Sequence, residues 1–416
     1  MQYPLSDLIS DPSLIGAAFY QWLLSLGLQA WMANLIGDVI GVLIVVMVVL
    51  TSAIILIWLE RKIAARLQDR VGPNRAGPWG ILQTLADIVK LLTKEDVTPD
   101  GADRISFNLA PALMVMQIIM VAAIIPVGAG IVGANLSVGL LYFVAMSGIA
   151  SMGALMAGWA SNNKYALLGG FRVVAQLMSY EIPLAFSLLA VVIFAGTMGT
   201  DTLARTQGGT FFGILPAWNI LVMPFAALIF FISALAEGER APFDLLEAES
   251  EIVAGPNIEY SGMKFAWFYL QFFVNSLLLA CIFVTVFLGG WQGPFVDQYP
   301  LLGIVYFTVK SFIVLFLFMW VRATYPRLRI DQMMTFCWKV LVPVSLVVVL
   351  IAAVGAKVTI GASPESQRSF QALLISAANI VALIVTLGIV GRALRREVEH
   401  RKAALPGTTA GASPLL

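Results

Sequence analysis

Residues 237–260 read EGERAPFDLLEAESEIVAGPNIEY and lie between two long apolar segments, 215–236 and 265–290. Seven of the chain's 24 acidic residues fall in this stretch, with Arg240 as its one base. A soluble protein could solvate such a run as an ordinary surface helix. Between membrane spans, however, carboxylates are costly and usually functional. The stretch therefore predicts a functional acidic loop in a membrane protein.

Three of these acids, Asp244, Glu247 and Glu251, follow a spacing of 0, 3 and 7 residues. A helix with this spacing would place all three side chains on one face. Because crowded carboxylates repel each other when ionised, such a face favours proton binding near physiological pH. The pattern predicts a cluster that can hold and pass protons.

The composition places the whole chain in a membrane. The chain has 416 residues, of which 60% are hydrophobic and 12% charged, against about 25% charged in an average soluble domain. Apolar runs of 18 or more residues recur along the chain, and runs of that length are typical of transmembrane helices. We predict an all-α polytopic membrane protein of about nine transmembrane helices with long cytoplasmic loops. The predicted spans are 38–59, 109–133, 137–160, 181–199, 215–236, 265–289, 301–321, 336–355 and 371–391.

The spans divide the chain into four parts. Residues 1–37 are predicted to be an N-terminal outer or interfacial segment, and no base precedes its apolar run, which argues against a signal peptide. Residues 38–355 are predicted to form an eight-helix membrane core. Residues 356–395 would add an extra C-terminal transmembrane helix, and residues 396–416 a basic, partly disordered cytoplasmic tail.

The distribution of bases predicts the orientation. With the N-terminus outside, nine spans put 21 bases on the inner side and three on the outer side, Arg205, Lys357 and Arg368. The remaining base, Lys310, lies inside a span, where we expect it to face a carboxylate or a water-filled cavity. The C-terminus is then inside.

Several classes of chemistry are disfavoured. Two cysteines and one histidine, all scattered, argue against a metal, haem or iron–sulfur site in this chain. No glycine-rich loop follows a strand pattern, so nucleotide binding is not indicated, and nothing points to nucleic acid. If the chain takes part in redox chemistry, the electron carriers belong to partners.

Three further inner segments carry polar residues. Residues 60–99 begin with ERKIAARLQDR, continue through the rigid turn GPNRAGPWG and lead into an amphipathic helix. Residues 159–183 carry Arg172, Gln176 and Glu181 on a helix, and residues 320–334 read WVRATYPRLRIDQMM. A plainer interpretation treats these bases as snorkelling anchors and the amphipathic helix as a surface helix.

Together these segments resemble the quinone-site membrane subunit of NADH:quinone oxidoreductase, respiratory complex I (the H subunit in bacteria, subunit 1 in mitochondria). The matching stretches are ERKIAARLQDRVGPNRAGPWGILQTLADIVKLLTKE, SNNKYALLGGFRVVAQLMSYEIP, AEGERAPFDLLEAESEIVAGPNIEY and RATYPRLRIDQMM. The resemblance covers roughly residues 38–355. It implies a quinone chamber at the junction of a hydrophilic and a membrane arm, with a path of carboxylates below it.

The resemblance also implies roles for individual residues. The quinone-binding set would be Arg61, Gln68, Arg70, Arg240, Phe265, Phe268, Tyr269, Arg327 and Arg329. The proton path would comprise Asp87, Glu181, Glu237, Asp244, Glu247, Glu251 and Glu259, supported by Lys90 and Arg172. Taken alone, the three aromatic residues would indicate span packing.

The same resemblance implies the chain's surroundings. Quinone, either ubiquinone or menaquinone, would be the substrate, and flavin, iron–sulfur clusters and metals would be bound by other chains. Partners would be hydrophilic quinone-module subunits on the cytoplasmic face, small and antiporter-like membrane subunits, and membrane lipids. The expected location is the bacterial cytoplasmic membrane.

Two other functions stay open. The chain could be the homologous membrane subunit of a membrane-bound hydrogenase or related dehydrogenase, which would differ in its electron donor. It could also be a standalone cation/proton exchanger. The absence of a convincing internal repeat and the placement of all long loops on one side argue against an exchanger.

Overall fold

The computed structural model describes residues 14–211, 215–244, 253–296, 298–358 and 364–404. In chain order its α-helices are α1 (Leu14–Ser25), α2 (Ala30–Leu67), α3 (Gln83–Thr93), α4 (Arg104–Ala123), α5 (Gly139–Ala160), α6 (Lys164–Ala195), α7 (Thr200–Thr206), α8 (Asn219–Val222), α9 (Pro224–Glu237), α10 (Gly262–Phe287), α11 (Leu301–Thr324), α12 (Ile330–Phe336), α13 (Val342–Val358) and α14 (Pro364–Ala404). Short 3-10 turns cover Pro78–Gly80 and Gly255–Asn257. Two-residue strands, β1 (Thr210–Phe211) and β2 (Leu215–Pro216), pair antiparallel. The predicted all-α fold class is confirmed.

Eight helical segments of the described chain are long and apolar enough to cross a membrane. They are α2, α4, α5, α6, α10, α11, the continuous helix Ile330–Lys357 and the part of α14 from Phe370 to Arg392. The chain is therefore a multi-pass membrane protein.

The helix of the predicted span 109–133 already ends at Ala123, and the predicted span 215–236 is broken into several elements. It contains strand β2, the short helix α8 and the 14-residue helix α9, with non-helical Met223 between the two helices. The physical reason is Pro224, because proline disfavours the helical conformation in the residue before it and is well suited to begin a helix. Helix α9 spans about 21 Å, short of a hydrocarbon core of about 30 Å. It is enclosed by other helices, α6 and α14 among them.

The first span is longer than predicted. Helix α2 runs without a break from Ala30 to Leu67, so it includes the predicted span 38–59 and the polar segment that follows it. At 1.5 Å per residue its 38 residues extend about 57 Å, well beyond the hydrocarbon core. The charged residues at its C-terminal end therefore sit on a rigid helix rather than on a loop.

Small residues let the central helices approach closely. Helix α5 packs between α4 and α6, and α6 continues against α9 and α13. A Cβ atom at Gly153 would lie 2.6 Å from the Met114 side chain, and one at Gly158 would lie 2.6 Å from the Ala166 carbonyl. Such close packing is typical of helix contacts in membranes.

A π-helical turn, Cys337–Leu341, joins α12 to α13. Its Cys337 thiol lies 3.1 Å from the Ser179 carbonyl oxygen, and Trp338 Nε1 donates to Ser179 Oγ over 3.3 Å. The Tyr180 hydroxyl donates to the Met333 carbonyl over 3.1 Å. These bonds fasten α12 and the turn to α6 immediately before Glu181.

The loops after α3, α9 and α11 lie on one side of the bundle, which we call the inner side after the predicted orientation. Leu328 N–H donates to the Pro242 carbonyl over 3.0 Å, which joins the loop after α11 to the loop after α9. The loop after α3 reaches the start of α10, where Lys264 pairs with Asp96 at 2.8 Å. The predicted polar loops are thus one connected layer.

Candidate functional site

A narrow cleft opens among the inner ends of the helices. Its lining residues are Met114, Ala154, Glu239, Pro256, Asn257, Phe268, Tyr269, Gln271 and Phe272. Three of these are aromatic residues on one turn and a half of α10, and one is a buried carboxylate. The cleft has room for about one water molecule. It joins an apolar wall to the loop that carries the acids.

Aromatic rings build that wall. The Phe107 and Tyr260 rings stack with centroids 4.0 Å apart, and Phe268 meets Tyr260 edge-on at 4.8 Å. Burial raises the pKa of the Tyr260 phenol, so its hydroxyl stays protonated and donates to the Phe107 carbonyl. Phe265 and Tyr269 form a second pair at 4.7 Å. The stack fixes the inner end of α10 against α4.

A group of buried carboxylates lies beside the cleft. Glu237 ends helix α9 and is 3% exposed, and Glu239 is 4% exposed. Glu237 lies within electrostatic range of Glu239 and of Glu181 on α6. Among the described residues its buried Oε2 atom has no hydrogen-bond partner, whereas Glu181 accepts a hydrogen bond from Ser147 Oγ over 3.4 Å. Interacting carboxylates in poorly hydrated surroundings make this group a candidate proton-exchanging site.

Glu259 lies on the next loop segment, on the far side of Pro256 and Asn257. Its carboxylate accepts a hydrogen bond from Asn163 Nδ2 over 2.7 Å, and Asn163 also caps the start of α6. The contact ties the end of the acidic stretch to the helix that carries Glu181. Arg172, predicted as a supporting residue, lies half-buried on the same helix.

The loop after α9 is held from two directions. Gln176 is buried on α6 and donates to the carbonyls of Ala236 and Phe243 over 2.7 and 2.8 Å. Asp244 pairs with Arg327 at 3.1 Å. These bonds fix the loop at both ends of residues 238–244. Glu247 and Glu251 lie outside the described residues, so their predicted shared helical face with Asp244 stays a prediction.

The residues predicted from the segment 60–99 form a separate group. Arg61 pairs with Asp87 at 2.6 Å, and Lys90 approaches the same carboxylate at 3.8 Å. Arg70 donates to Gln68 over 2.7 Å. These five side chains belong to the inner surface, and none of them lines the cleft described above.

The predicted quinone-binding set is therefore divided by the structure. Phe268 and Tyr269 line the cleft, and Phe265 packs against Tyr269. Arg240 is 3% exposed and lies behind the cleft wall, with its guanidinium 4.4 Å from the Phe272 ring centroid. Arg327 and Arg329 are exposed at the inner surface.

Lys310 contradicts the expectation that it faces a carboxylate or a water-filled cavity. Its ammonium group donates to the main-chain carbonyls of Leu288, Gly290 and Gln292 over 2.8, 3.1 and 2.7 Å. It also lies 4.6 Å from the Trp218 ring centroid. The carbonyls at the end of α10 have no helical partners, so they can satisfy all three ammonium donors.

Three charged residues of this region, Glu60, Glu239 and Arg322, are not among the predicted site residues. Glu239 lines the cleft, and Glu60 pairs with both Arg240 and Arg322 at the inner end of α2. The available signal was position: Glu60 is the first acid after a long apolar run, and Glu239 stands two residues after Glu237 in the acidic stretch. In the described part of the chain, no group of three or more His, Cys, Asp and Glu side chains could hold a metal ion.

Sequence comparisons with known proteins identify the family of the chain. A family model for NADH dehydrogenase matches residues 40–353. The second of the numbered NADH-quinone oxidoreductase H subunits of Geobacter sulfurreducens is 48% identical over 313 residues, covering 73% of this chain and 92% of the relative. The chain belongs to the family of NADH-quinone oxidoreductase H subunits.

Other relatives agree with this assignment. The NADH-quinone oxidoreductase H subunit of Dehalococcoides mccartyi (strain CBDB1) is 46% identical over 305 residues, covering 73% of this chain and 83% of the relative. The protein of the same name from Anoxybacillus flavithermus is 45% identical over 316 residues, covering 76% and 91%. The family match ends at residue 353, before α14 begins at Pro364. The cleft, the buried carboxylates and the aromatic stack all lie within the matched residues.

Proposed function

We propose that this chain is the membrane subunit of a proton-pumping NADH:quinone oxidoreductase that forms much of the quinone chamber and the acidic path coupling quinone reduction to proton translocation. The observation that carries the proposal is the meeting of the aromatic cleft with buried Glu239 and Glu237. Quinone, as ubiquinone or menaquinone, is the substrate, and the flavin and iron–sulfur clusters belong to partner subunits. We place the chain in the bacterial cytoplasmic membrane with its N-terminus outside.

The cleft supports binding of an apolar ring with polar edges. Phe268, Tyr269 and Phe272 offer aromatic faces, while Gln271 and Asn257 offer amide groups to a carbonyl oxygen. Because the cleft is too narrow for such a ring, binding requires these side chains to move apart. This movement of the aromatic side chains would connect ring binding to the acids beside the cleft.

The carboxylates support the proton path. Reduction of a quinone to a quinol takes up two electrons and two protons, so negative charge develops at the ring before the protons arrive. A negative charge near Glu239 favours protonation of the neighbouring acids, Glu237 and Glu181. Removal of that charge reverses the shift and releases a proton. Asp244, Glu247, Glu251, Glu259 and Asp87 are proposed members of the same path.

The inner-surface members of the quinone-binding set, Arg61, Gln68, Arg70, Arg327 and Arg329, are proposed to brace the quinone chamber and its loops on the side that faces the hydrophilic subunits. Arg70, Arg327, Arg329 and Lys90 are exposed on the inner side. Arg61 pairs with Asp87 and, with Gln68 and Arg70, braces the loop between α2 and α3. Arg172 supports the carboxylates from α6. Small and antiporter-like membrane subunits would take protons from the acidic path, with lipids around the remaining spans.

The deciding experiment uses the purified complex or membranes that contain it. NADH should reduce a short-chain quinone with proton uptake into inverted vesicles, and deletion of this chain should abolish that activity. Electron transfer from NADH to ferricyanide should persist wherever the hydrophilic arm still assembles. Hydrogen as the working donor in place of NADH would favour the hydrogenase-type alternative. Cation/proton exchange by this chain alone in liposomes would favour the exchanger.

A further inference from the structure

One carboxylate at the inner end of α2 binds two arginines. Glu60 Oε1 accepts hydrogen bonds from Nη1 of Arg240 and from Nη1 of Arg322. The Glu60 side chain is 10% exposed, and its buried Oε2 atom has no hydrogen-bond partner within the described ranges of the chain. Neither Glu60 nor Arg322 contributes a side chain to the cleft lining.

The two arginines come from different parts of the bundle. Arg240 follows α9, and its Nε donates to Ser276 Oγ of α10 over 2.9 Å. Arg322 lies in the last turn of α11. The Glu60 carboxylate therefore joins the inner end of α2 to the segment after α9 and to the inner end of α11, and Arg240 extends this link to the middle of α10. We call Glu60, Arg240 and Arg322 the arginine clasp.

The clasp also touches the wall of the cleft. The Arg240 guanidinium lies 4.4 Å from the Phe272 ring centroid, and the Arg322 guanidinium lies 5.8 Å from it. Phe272 lines the cleft together with Glu239, the residue before Arg240. A shift of Arg240 would therefore move both the aromatic wall and the acid at its edge.

The charge balance shows what Glu60 does. The clasp holds two positive charges and one negative charge, with Arg240 3% exposed. Without the anion, two guanidiniums that share one oxygen atom would repel each other in a poorly hydrated site. The Glu60 carboxylate is therefore the shared counterion of both guanidiniums.

We propose that Glu60 is a positioning residue for quinone: as the shared counterion of Arg240 and Arg322 it holds both guanidiniums in place and thereby sets the Phe272 wall of the cleft, without carrying protons itself. This inference rests on the proposed function of the cleft.

The test is steady-state kinetics of the assembled complex with a short-chain quinone. Glu60→Gln removes the carboxylate that Arg240 and Arg322 share, so KM for quinone should rise about tenfold, which corresponds to about 1.4 kcal/mol of binding. NADH:ferricyanide activity should not change. Arg322→Gln keeps the pair of Glu60 with Arg240, so its KM should rise less than about threefold.

The double variant Glu60→Gln, Arg322→Gln separates positioning from proton transfer. It restores the net charge of the clasp to +1, and the introduced amide oxygen can still accept a hydrogen bond from Arg240. KM and proton uptake should therefore return to within about threefold of the Arg322→Gln values. Asp201→Asn, which breaks the pair with Arg205 on α7, is the matched control and should leave KM unchanged.

Two results would overturn the inference. One is an unchanged quinone KM in Glu60→Gln. The other is loss of turnover in the double variant while Arg322→Gln stays active, which would mark Glu60 as a proton carrier. The second comparison also decides the matter if Glu60→Gln alone fails to assemble. Failure of the proposed function looks different, since the unmodified complex would then lack NADH:quinone activity altogether.

Discussion

Both ends of the bundle bury charged and polar side chains, but the two ends differ in how these side chains are hydrogen-bonded. On the outer side, Lys310 donates to three carbonyls, and Gln207 makes four hydrogen bonds, two as donor and two as acceptor. On the inner side, Glu237 Oε2 is buried with no partner among the residues that the structure describes, and two further acids, Glu181 and Glu239, lie within electrostatic range of it. Buried polar atoms are usually satisfied, and each exception calls for an explanation.

The difference separates a structural use of polar groups from a functional one. The outer network closes the end of α10 and the broken span 215–236, because Asn219 Nδ2 also donates to the Val286 carbonyl over 2.8 Å. Asp201 on the outer side also has one buried oxygen without a partner among the described residues, but its other oxygen pairs with Arg205 at 2.8 Å. Glu237 instead lies within electrostatic range of two other acids, and in the described part of the chain its Oε2 atom keeps acceptor capacity that a proton can fill. We therefore expect outer substitutions to affect stability and inner substitutions to affect turnover.

The largest effect on turnover is expected for Glu237→Gln. The change removes a proton-binding group but keeps the shape of the side chain, so coupled quinone reduction should fall about a hundredfold. Thermal stability should stay the same or rise, since a buried acid is replaced by a neutral amide. Proton uptake and quinone reduction in the assembled complex measure the first effect, and differential scanning fluorimetry measures the second. Full pumping in this variant would remove Glu237 from the path.

Lys310→Met should produce the opposite pattern. Loss of the ammonium group leaves three main-chain carbonyls without their donor, which should destabilise the chain by about 3 kcal/mol. The thermal midpoint and the yield of assembled complex should drop, while turnover per assembled complex stays near normal. Lys94→Met, at an exposed position of the inner side, is the control. A normal yield with lost turnover would reverse the comparison.

Glu247→Gln and Glu251→Gln should each lower proton pumping several-fold. If the two acids share a proton, the double change should cost less free energy than the sum of the single changes. Asp100→Asn serves as the control in the loop after α3. Unimpaired pumping and quinone reduction in the double variant would leave this part of the acidic stretch as a docking surface.

The smallest effects are expected at the inner surface. Arg61→Ala breaks an exposed pair with Asp87, which contributes about 0–1 kcal/mol to stability. Quinone reduction should fall by less than about fivefold, and electron transfer to ferricyanide should be unaffected. Arg70→Ala should behave in the same way. Equal losses in both assays would assign these arginines to docking of the hydrophilic arm instead.

The sequence predicts the fold well because membrane spans are set by local composition. Long apolar runs and the bias of Lys and Arg identify spans without knowledge of their neighbours. The exceptions arise where a local rule breaks a run, as Pro224 does in the span 215–236. The first predicted span is too short because its helix continues past the apolar run into charged residues.

The candidate site is less predictable, because pairings across helices are not visible in a linear pattern. Glu181 and Glu237 stand out as acids beside apolar runs. Glu60 and Arg322 look like ordinary residues of a span end. Only the three-dimensional contacts show that Glu60 pairs with Arg322 and Arg240, and that both guanidiniums lie near Phe272. Lys310 stands out in the sequence as a base inside the span 301–321. Its partners do not, because they are main-chain carbonyls about 20 residues earlier in the chain.

The most direct test of the central claim is photolabelling of the assembled complex with a short-chain azido-quinone, followed by peptide mapping. We expect adducts on residues 253–273, at or beside Phe268 and Tyr269, and we expect an excess of unlabelled quinone to prevent their formation. The matched outer segment 285–296 should stay unlabelled. Competed labelling confined to other subunits, or to the outer segment, would contradict the assignment of the quinone chamber to the inner cleft of this chain.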